Sequence, residues 1–357
     1  MSLNPPTARP ILRALSVEAL TTMLAEAGFE PYRAKQLFHW VFARGEEDPR
    51  AMSNLPKALQ AWLAEQCEPS GLALVRAEGP EGGTRKVLFR LRDGRHVESV
   101  IMRDEGAGRT SLCLSSQVGC AMGCTFCLTG FGGFQRNLTP DEIIGQAIEI
   151  RRRLLAEGEA IHHLVFMGMG EPIHNLDHVL ATLRLFPDPV GFGLSRRRIT
   201  VSTAGVVPGI ERLGREKLDV GLAVSLNATT DETRTALMPI NKKWPLAVLL
   251  EALRQYPLEP RRRITLEYVL LHGVNDTAED ARRLVRLLRG LRCKVNLIMF
   301  NPSPHLPFEP VAEPVLDLFA RTLAQADLTV TVRWSKGREV EAACGQLAAH
   351  YFEATHA

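Results

Sequence analysis

Ser111-Leu-Cys-Leu-Ser-Ser-Gln-Val-Gly-Cys120-Ala-Met-Gly-Cys124-Thr-Phe-Cys127 runs from an apolar stretch with strand character straight into a loop that holds three cysteines. Toward the C-terminus the strand pattern recurs. Apolar segments at 112–116, 163–167, 198–202, 220–226, 264–271 and 294–300 are separated by amphipathic stretches such as 141–155, 245–255 and 278–288. This alternation predicts parallel strands joined by crossover helices. Six such units predict an α/β fold, a partial TIM-like (β/α)6 barrel left open on one side, with 328–334 as a further strand. Barrels carry their chemistry at the C-terminal ends of their strands, and the cysteine loop begins at such an end.

Toward the N-terminus the pattern changes. Between about 70 and 103 short strands alternate, with 86–92 and 96–102 turned by Asp93-Gly94, a dipeptide suited to a tight hairpin. Residues 16 to 67 read as three short helices. Ser16 is placed to cap the first, where Val17, Leu20, Met23 and Leu24 recur at helical spacing until Gly28 stops it. Pro31 opens a second helix with Leu37, Trp40 and Val41 on one side, and Pro56 opens a third. Four regions are expected: a helical module over 1–70, a β connector over 71–105, a core barrel over 106–338 and a C-terminal segment over 339–357.

The 357 residues are 45% apolar and 23% charged, the balance of a globular chain able to bury a sizeable core. No run of about 18 apolar residues is present, so no membrane-spanning helix is expected. Pro5, Pro6 and Pro10 interrupt the place of a signal peptide's apolar run, and a cytoplasmic location is expected. The cysteines are Cys67, Cys113, Cys120, Cys124, Cys127, Cys293 and Cys344. An odd number with one tight group argues for metal binding or catalysis in a reducing compartment rather than a disulfide framework. The net charge of +3 decides little, but basic knots at 151–153, 196–198, 242–243 and 261–263 stand out. Singly they read as solvated helix ends and loops; together they leave room for a polyanion such as RNA.

Three thiolates on one loop, Cys120, Cys124 and Cys127, can satisfy three irons of a cubane and leave the fourth open. An open iron can chelate the amino and carboxylate groups of S-adenosylmethionine (SAM), so that an electron cleaves the sulfonium to a 5′-deoxyadenosyl radical. Gly123 and Phe126 let the loop fold closely around such a cluster. A structural zinc site wants four ligands in paired Cys-x-x-Cys units, and the sequence has no second pair. Gly168-Met-Gly-Glu-Pro172, after the second barrel strand, reads by itself as a simple turn.

Taken together, these motifs resemble the radical SAM enzymes that methylate adenine C2 in RNA, the dual-specificity 23S rRNA and tRNA adenine-C2 methyltransferases. The resemblance rests on Tyr32-Arg-Ala-Lys-Gln-Leu-Phe-His-Trp40, Met52-Ser-Asn-Leu-Pro56, Thr110 to Cys120, Gly168-Met-Gly-Glu-Pro172, Asn241-Lys-Lys243 and Ala342-Ala-Cys-Gly-Gln-Leu347, and covers nearly the whole chain. It implies a radical SAM barrel with one [4Fe-4S] cluster on Cys120, Cys124 and Cys127. It also implies two SAM molecules per turnover. Gly170 and Glu171 would contact the amino end of SAM, with Ser202, Ser225, Leu226, Asn227 and Asn301 as further SAM contacts. Alone, each of these reads as a cap or turn residue. Asn227 stands where some relatives have His.

Adenine C2 is electron-poor and offers no nucleophilic lone pair, so polar methyl transfer has nothing to work with. The resemblance implies that Cys344 is first methylated, that a radical then takes a hydrogen from its S-methyl group, and that the methylene joins C2. Glu98 would take the C2 proton, and Cys113 would attack Cys344 to form a transient disulfide that releases the product. Without the resemblance Glu98 reads as a surface carboxylate, and Cys113 and Cys344 as inert buried thiols. Cys67 and Cys293 read as packing residues.

Recognition of structured RNA is expected from the helical module, through Arg33, Lys35 and Lys57, helped by barrel-rim residues including 196–198 and Lys336. The resemblance further implies a flavodoxin-like electron donor, no membrane partner and a monomer. Two alternatives stay open: an adenine-C8 methyltransferase with the same machinery, and an iron–sulfur RNA-binding protein without catalysis.

Overall fold

The computed structural model describes residues 9–104, 106, 108–333 and 345–347. Caps and prolines punctuate the N-terminal helices as the sequence predicts. α1 (Val17–Glu26) starts where the Ser16 hydroxyl accepts the Ala19 N–H at 3.2 Å. α2 (Arg33–Phe38) runs on into a π-helical stretch, His39–Arg44, closed by left-handed Gly45, and α3 (Lys57–Gln66) follows Pro56. Three antiparallel strands come next: β1 (Ala73–Glu78), β2 (Arg85–Arg90) and β3 (His96–Asp104).

The barrel strands then alternate with helices. β4 (Arg109–Cys113) leads into a small hairpin, β5 (Gln117–Gly119) and β6 (Phe134–Asn137), with the short helix α4 (Leu128–Phe131) between them. In order follow α5 (Pro140–Ala156), β7 (Ile161–Phe166), α6 (Leu176–Leu185), β8 (Ile199–Thr203), α7 (Val207–Arg215) and β9 (Gly221–Ser225). The loop after β9 carries α8 (Asp231–Leu237) and α9 (Leu246–Gln255). β10 (Ile264–Leu270), α10 (Ala278–Leu288), β11 (Cys293–Met299), α11 (Glu313–Ala324) and β12 (Thr329–Arg333) complete the array.

All ten long strands form one sheet in the order β1-β2-β3-β4-β7-β8-β9-β10-β11-β12. β4 and its successors pair in parallel, while β1 to β3 extend the β4 edge antiparallel. The further strand expected near the end is β12, parallel to β11. Its Arg333 reaches across the open side to Met102 of β3, with Nη2 3.0 Å from the sulfur. The partial barrel follows from the sequence: strands such as Ile264-Thr-Leu-Glu-Tyr-Val-Leu270 are almost wholly buried. The helices are one-sided; α10 buries Ala281, Leu284 and Leu288 and turns Arg282 and Arg286 outward.

Two expectations need correcting. The first barrel strand ends at Cys113 and does not continue to Ser116. Ser115 is taken out of the ladder by Gln146 of α5, whose Oε1 accepts the Ser115 N–H at 3.0 Å and whose Nε2 donates to the Ser115 carbonyl at 3.1 Å. Residue 151, read as part of a solvated basic knot, is a brace: Arg151 Nη1 donates to the Phe42 and Gly191 carbonyls at 3.3 and 3.0 Å, and the guanidinium lies over the Phe192 ring. It ties the helical module to α5. Among the described residues no helix is long and apolar enough to cross a membrane.

Gln146 is fully buried and also accepts from the Ser99 hydroxyl at 2.7 Å. The Ser115 hydroxyl in turn donates to the Glu98 carbonyl at 2.5 Å and accepts the Met169 N–H at 2.8 Å. This network joins β3, the end of β4 and the turn after β7. Replacing Gln146 by Leu keeps the volume but strands several buried polar groups. We expect Gln146→Leu to lower unfolding free energy by about 3 kcal/mol, as measured by urea denaturation, whereas an apolar swap at a purely packing position costs less than about 1.5 kcal/mol.

Candidate active site

The cysteine loop is assembled from three directions. The Cys120 N–H donates to the Gly133 carbonyl at 2.9 Å, the Thr125 N–H to Leu237 of α8 at 3.0 Å, and the Leu128 N–H to Gly345 at 2.7 Å. Cys120, Cys124 and Cys127 thereby line one cavity at the C-terminal ends of the barrel strands. Among the described residues no metal-ligating side chains converge tightly enough to hold a single ion. Three thiols spread around one cavity are a donor set in which each can serve a different iron of a cluster. Burial pushes Cys120 up to about 12, and drives Cys124 well above the usual thiol range. Loading of iron must therefore displace protons from half-buried thiols.

The same cavity is lined by Gly170, Glu171, Ser202, Ser225, Asn227 and Asn301, so all but one of the sequence-predicted SAM contacts meet in one place. Leu226 differs. Its side chain is fully buried outside the lining, its N–H bonds to the Glu267 carbonyl at 2.9 Å, and its carbonyl accepts from Arg234 at 3.1 Å. Gly170 sits at φ +98°, where a Cβ would come within 2.4 Å of Gln117, so the turn after β7 admits no side chain there. Asn227 also has a left-handed backbone, at φ +58°. Its Oδ1 accepts the Val269 N–H at 2.9 Å and its Nδ2 points at the Met238 sulfur at 3.3 Å. Asn and His are both enriched at such positions, which makes them interchangeable there.

Glu171 is a buried carboxylate with fixed partners. Oε1 accepts the Ile173 N–H at 3.1 Å and Oε2 the Ala204 N–H at 2.7 Å, while its own N–H donates to Gln117 at 2.8 Å. Burial outweighs these bonds and raises its pKa to about 7.

Glu98 and Cys113 are buried on neighbouring strands and do not line the cavity. The register pairs Cys113 with Val100, two residues from Glu98 on the same face of β3. The Glu98 carboxylate lies 3.4 Å from the Lys86 ammonium. Cys344 falls outside the described residues, as do Lys336 and most of 339–357. Its neighbour Gly345 lines the cavity. At φ +84° Gly345 packs so closely that a Cβ would be 3.1 Å from the Phe126 carbonyl. Leu347 accepts the Thr129 hydroxyl at 2.6 Å, and Gln346 reaches the Pro302 carbonyl at 3.4 Å. Cys67 and Cys293 are buried away from the cavity.

Among the lining residues that escaped the sequence reading, two carry chemistry of their own, Glu267 and Met238. Glu267, in the middle of apolar β10, is paired in register with Ser225 and Asn296; Oε2 accepts from Asn296 at 2.6 Å, and burial raises its pKa. A lone acid in an otherwise apolar central strand was the available signal. Met238 offered none, because only the fold brings the loop after α8 over the cavity.

The basic knots are redistributed. Residues 196–198 precede β8 and 261–263 precede β10, so both lie at the N-terminal ends of the strands, opposite the cavity. The expectation that 196–198 sits on the rim beside the site is corrected: a residue just before a barrel strand is at the far end by construction. Lys242 and Lys243, exposed on the loop between β9 and β10, lie at the cavity end.

Fold and site together define a radical SAM enzyme: a partial barrel whose strand ends hold a three-cysteine loop at a largely apolar cavity with a few polar groups. Residues 114–288 match the model of the radical SAM superfamily, and residues 12–68 that of the ribosomal RNA large subunit methyltransferase N-terminal domain. The "Dual-specificity RNA methyltransferase RlmN" of Geobacter sulfurreducens is 49% identical over 94% of this chain and 91% of its own length. That of Pelobacter propionicus is 47% identical over 96% of both chains. The crystal structure of a radical SAM methyltransferase from Sphaerobacter thermophilus superposes with a TM-score of 0.91 at 44% identity, covering 95% of this chain and 99% of that one. The chain belongs to the RlmN-type radical SAM methyltransferases. It is a SAM-dependent radical methyltransferase whose cofactors are a [4Fe-4S] cluster and SAM.

The raised pKa of Glu171 has a testable sign. In the cofactor-free protein its carboxyl stays protonated to about 7 against a usual 4.5, so its burial costs nothing at low pH and costs progressively more as pH rises. Relative to Glu171→Gln, wild-type apoprotein should lose on the order of 3 kcal/mol of stability between about pH 4.5 and 7, followed by urea denaturation across pH.

Proposed function

We propose that this enzyme methylates C2 of adenine in RNA, at the peptidyl transferase centre of 23S rRNA and at the adenine 3′ of the anticodon in tRNA, through an S-methyl intermediate on Cys344. The observation that carries the reading is Gly345, which lines the cavity beside Phe126 and Cys127 of the cluster loop. The names of the relatives support RNA as substrate.

When bound, the cluster and SAM supply a carbon-centred radical able to take a hydrogen from a methyl group. The chain's own residues do the rest. Cys120, Cys124 and Cys127 hold the cluster, while Gly170, Glu171, Ser202, Ser225, Asn227 and Asn301 hold and orient SAM, with the Leu226 backbone stiffening that wall. Cys344 carries the methyl group as a thioether, and its methylene carbon forms the new bond to C2. The adduct gives up one electron to the cofactor that supplied it, and Glu98 takes the proton from C2. The Cys113 thiolate then attacks the Cys344 sulfur; the carbon–sulfur bond breaks with its electron pair going to carbon, which takes up a proton to become the methyl group, the methylated base leaves, and the resulting disulfide is reopened by an external reductant. Glu98, two residues from the partner of Cys113 on β3, shares that strand end, which supports a common role.

The helical module is the proposed grip on the phosphate backbone. Lys35 and Lys57 are exposed on it, with Arg33 held over the Tyr32 ring. Lys242 and Lys243 extend a basic edge to the cavity rim. The target base must leave its stack to reach the cavity, and a flavodoxin-like donor and a monomeric enzyme complete the proposal.

The test is anaerobic reconstitution with iron and sulfide, strong reductant, SAM, and unmodified rRNA and tRNA fragments. We expect 5′-deoxyadenosine and 2-methyladenosine by mass spectrometry; 8-methyladenosine instead would replace C2 by C8. Cys344→Ala should abolish methylation at least 1,000-fold, on the order of the loss of an essential nucleophile. Cys113→Ala should accumulate a protein–RNA adduct visible on a denaturing gel. Full methylation by Cys344→Ala would sink the carrier mechanism.

A further inference from the structure

Arg234 of α8 is one of the largest fully buried side chains in the molecule. Its Nε donates to the Leu226 carbonyl at 3.1 Å, Nη1 to Asn241 Oδ1 at 2.9 Å, and Nη2 to the Ala204 and Ser225 carbonyls at 2.8 and 3.2 Å. Every acceptor is neutral. Among the described residues no carboxylate is hydrogen-bonded to it, and Asp231 acts on it only at longer range. Burial lowers its pKa to about 10, which leaves it charged at neutral pH. A buried guanidinium without an anionic partner is expensive, at several kcal/mol, so its presence asks for a compensating anion.

The geometry supplies a candidate. Thr125, inside the cysteine loop, donates its N–H to Leu237 of the same short helix at 3.0 Å, and Pro239 lies 3.8 Å from where a Gly123 Cβ would stand. Two of the three carbonyls that hold Arg234 belong to Ala204 and Ser225, both of which line the cavity with Cys124. The guanidinium thus lies just behind the cavity wall, within electrostatic reach of Cys124.

We propose that Arg234 is the built-in counter-charge of the iron–sulfur cluster: a fixed buried cation that favours the reduced cluster and raises its midpoint potential. Three thiolates on a cubane carry net negative charge, which grows by one electron on reduction. In a low-dielectric wall a nearby cation stabilises the more negative state more. Cluster potentials are set by net charge and by the surrounding protein. Arginine suits the role because it stays charged when buried and its planar fork is held by several directional bonds. It is a positioning residue that lies outside the lining of the cavity. Asn241, of the Asn241-Lys-Lys243 motif, gains a reason to be there: Oδ1 accepts from Arg234 while Nδ2 is held by Asp231 and Thr235.

The inference rests on the cluster being bound, and the experiment separates the two. Reconstituted wild type, Arg234→Gln, Arg234→Lys and Asp231→Asn are titrated potentiometrically, reading the reduced cluster by electron paramagnetic resonance. We expect Arg234→Gln to be about tenfold less reduced at a fixed potential, a shift of about 59 mV to more negative values. Arg234→Lys keeps the charge and loses the fork; it should stay within about threefold of wild type. Asp231→Asn keeps an oxygen for its partners and removes the carboxylate that acts on Arg234 at longer range, so its midpoint should move to more positive potential. That variant decides the matter if Arg234→Gln does not retain a cluster. A wild-type midpoint in Arg234→Gln, or an unmoved or more negative one in Asp231→Asn, overturns the counter-charge role and leaves Arg234 a brace. A wild type with no cluster signal overturns the cluster reading itself.

Discussion

Everything in this molecule is arranged around the need to keep three cysteines of one short loop at the ends of parallel strands, half-buried around one cavity and not bridged to one another. A loop that tight cannot support itself. It is held by Gly133 of its own hairpin, by Leu237 beyond β9 and by Gly345 near the C-terminus, three points far apart in sequence. The barrel is what makes those points neighbours. Burial that would leave ordinary thiols inert serves here to exclude water from a site where an oxygen- and solvent-sensitive radical must form.

The walls of the cavity show how the fold uses side chains twice. Glu171 and Asn227 line the site, yet their oxygens accept from Ile173, Ala204 and Val269 N–H groups. They satisfy the backbone where strands stop, which is where ladder bonds run out, and only then face the cavity. Gln146 and Ser115 do the same one layer behind, connecting β3 to the turn after β7. A site built this way is rigid because its ligand-facing groups are also the structure's own hydrogen-bond partners.

Charge is distributed by the same logic. The arginines before β8 and β10 gather at the far end of the barrel, where Arg197 and Arg262 pair with Asp219. The cavity end keeps the exposed Lys242 and Lys243 outside and the buried Arg234 within. Sequence runs of basic residues looked alike; their positions relative to strand direction separate a solvated base from a rim and a buried cation.

Resemblance to a known family, not a local pattern, singled out most of the strand-end residues around the cysteine loop; the sequence by itself determined the alternation of strands and helices, the helix starts at Ser16 and Pro56, and the cysteine loop. These are local signals, set by periodicity and by residues whose backbone preferences act within a few positions. Where β4 stops was not legible, because Ser115 is bonded by Gln146, 31 residues away. Nor were the roles of Glu267, Met238 and Arg234, or the sidedness of the basic knots. Those depend on which strand ends are neighbours and which end of the barrel a loop occupies, and no local pattern encodes either; only the closing of the sheet around its core decides them.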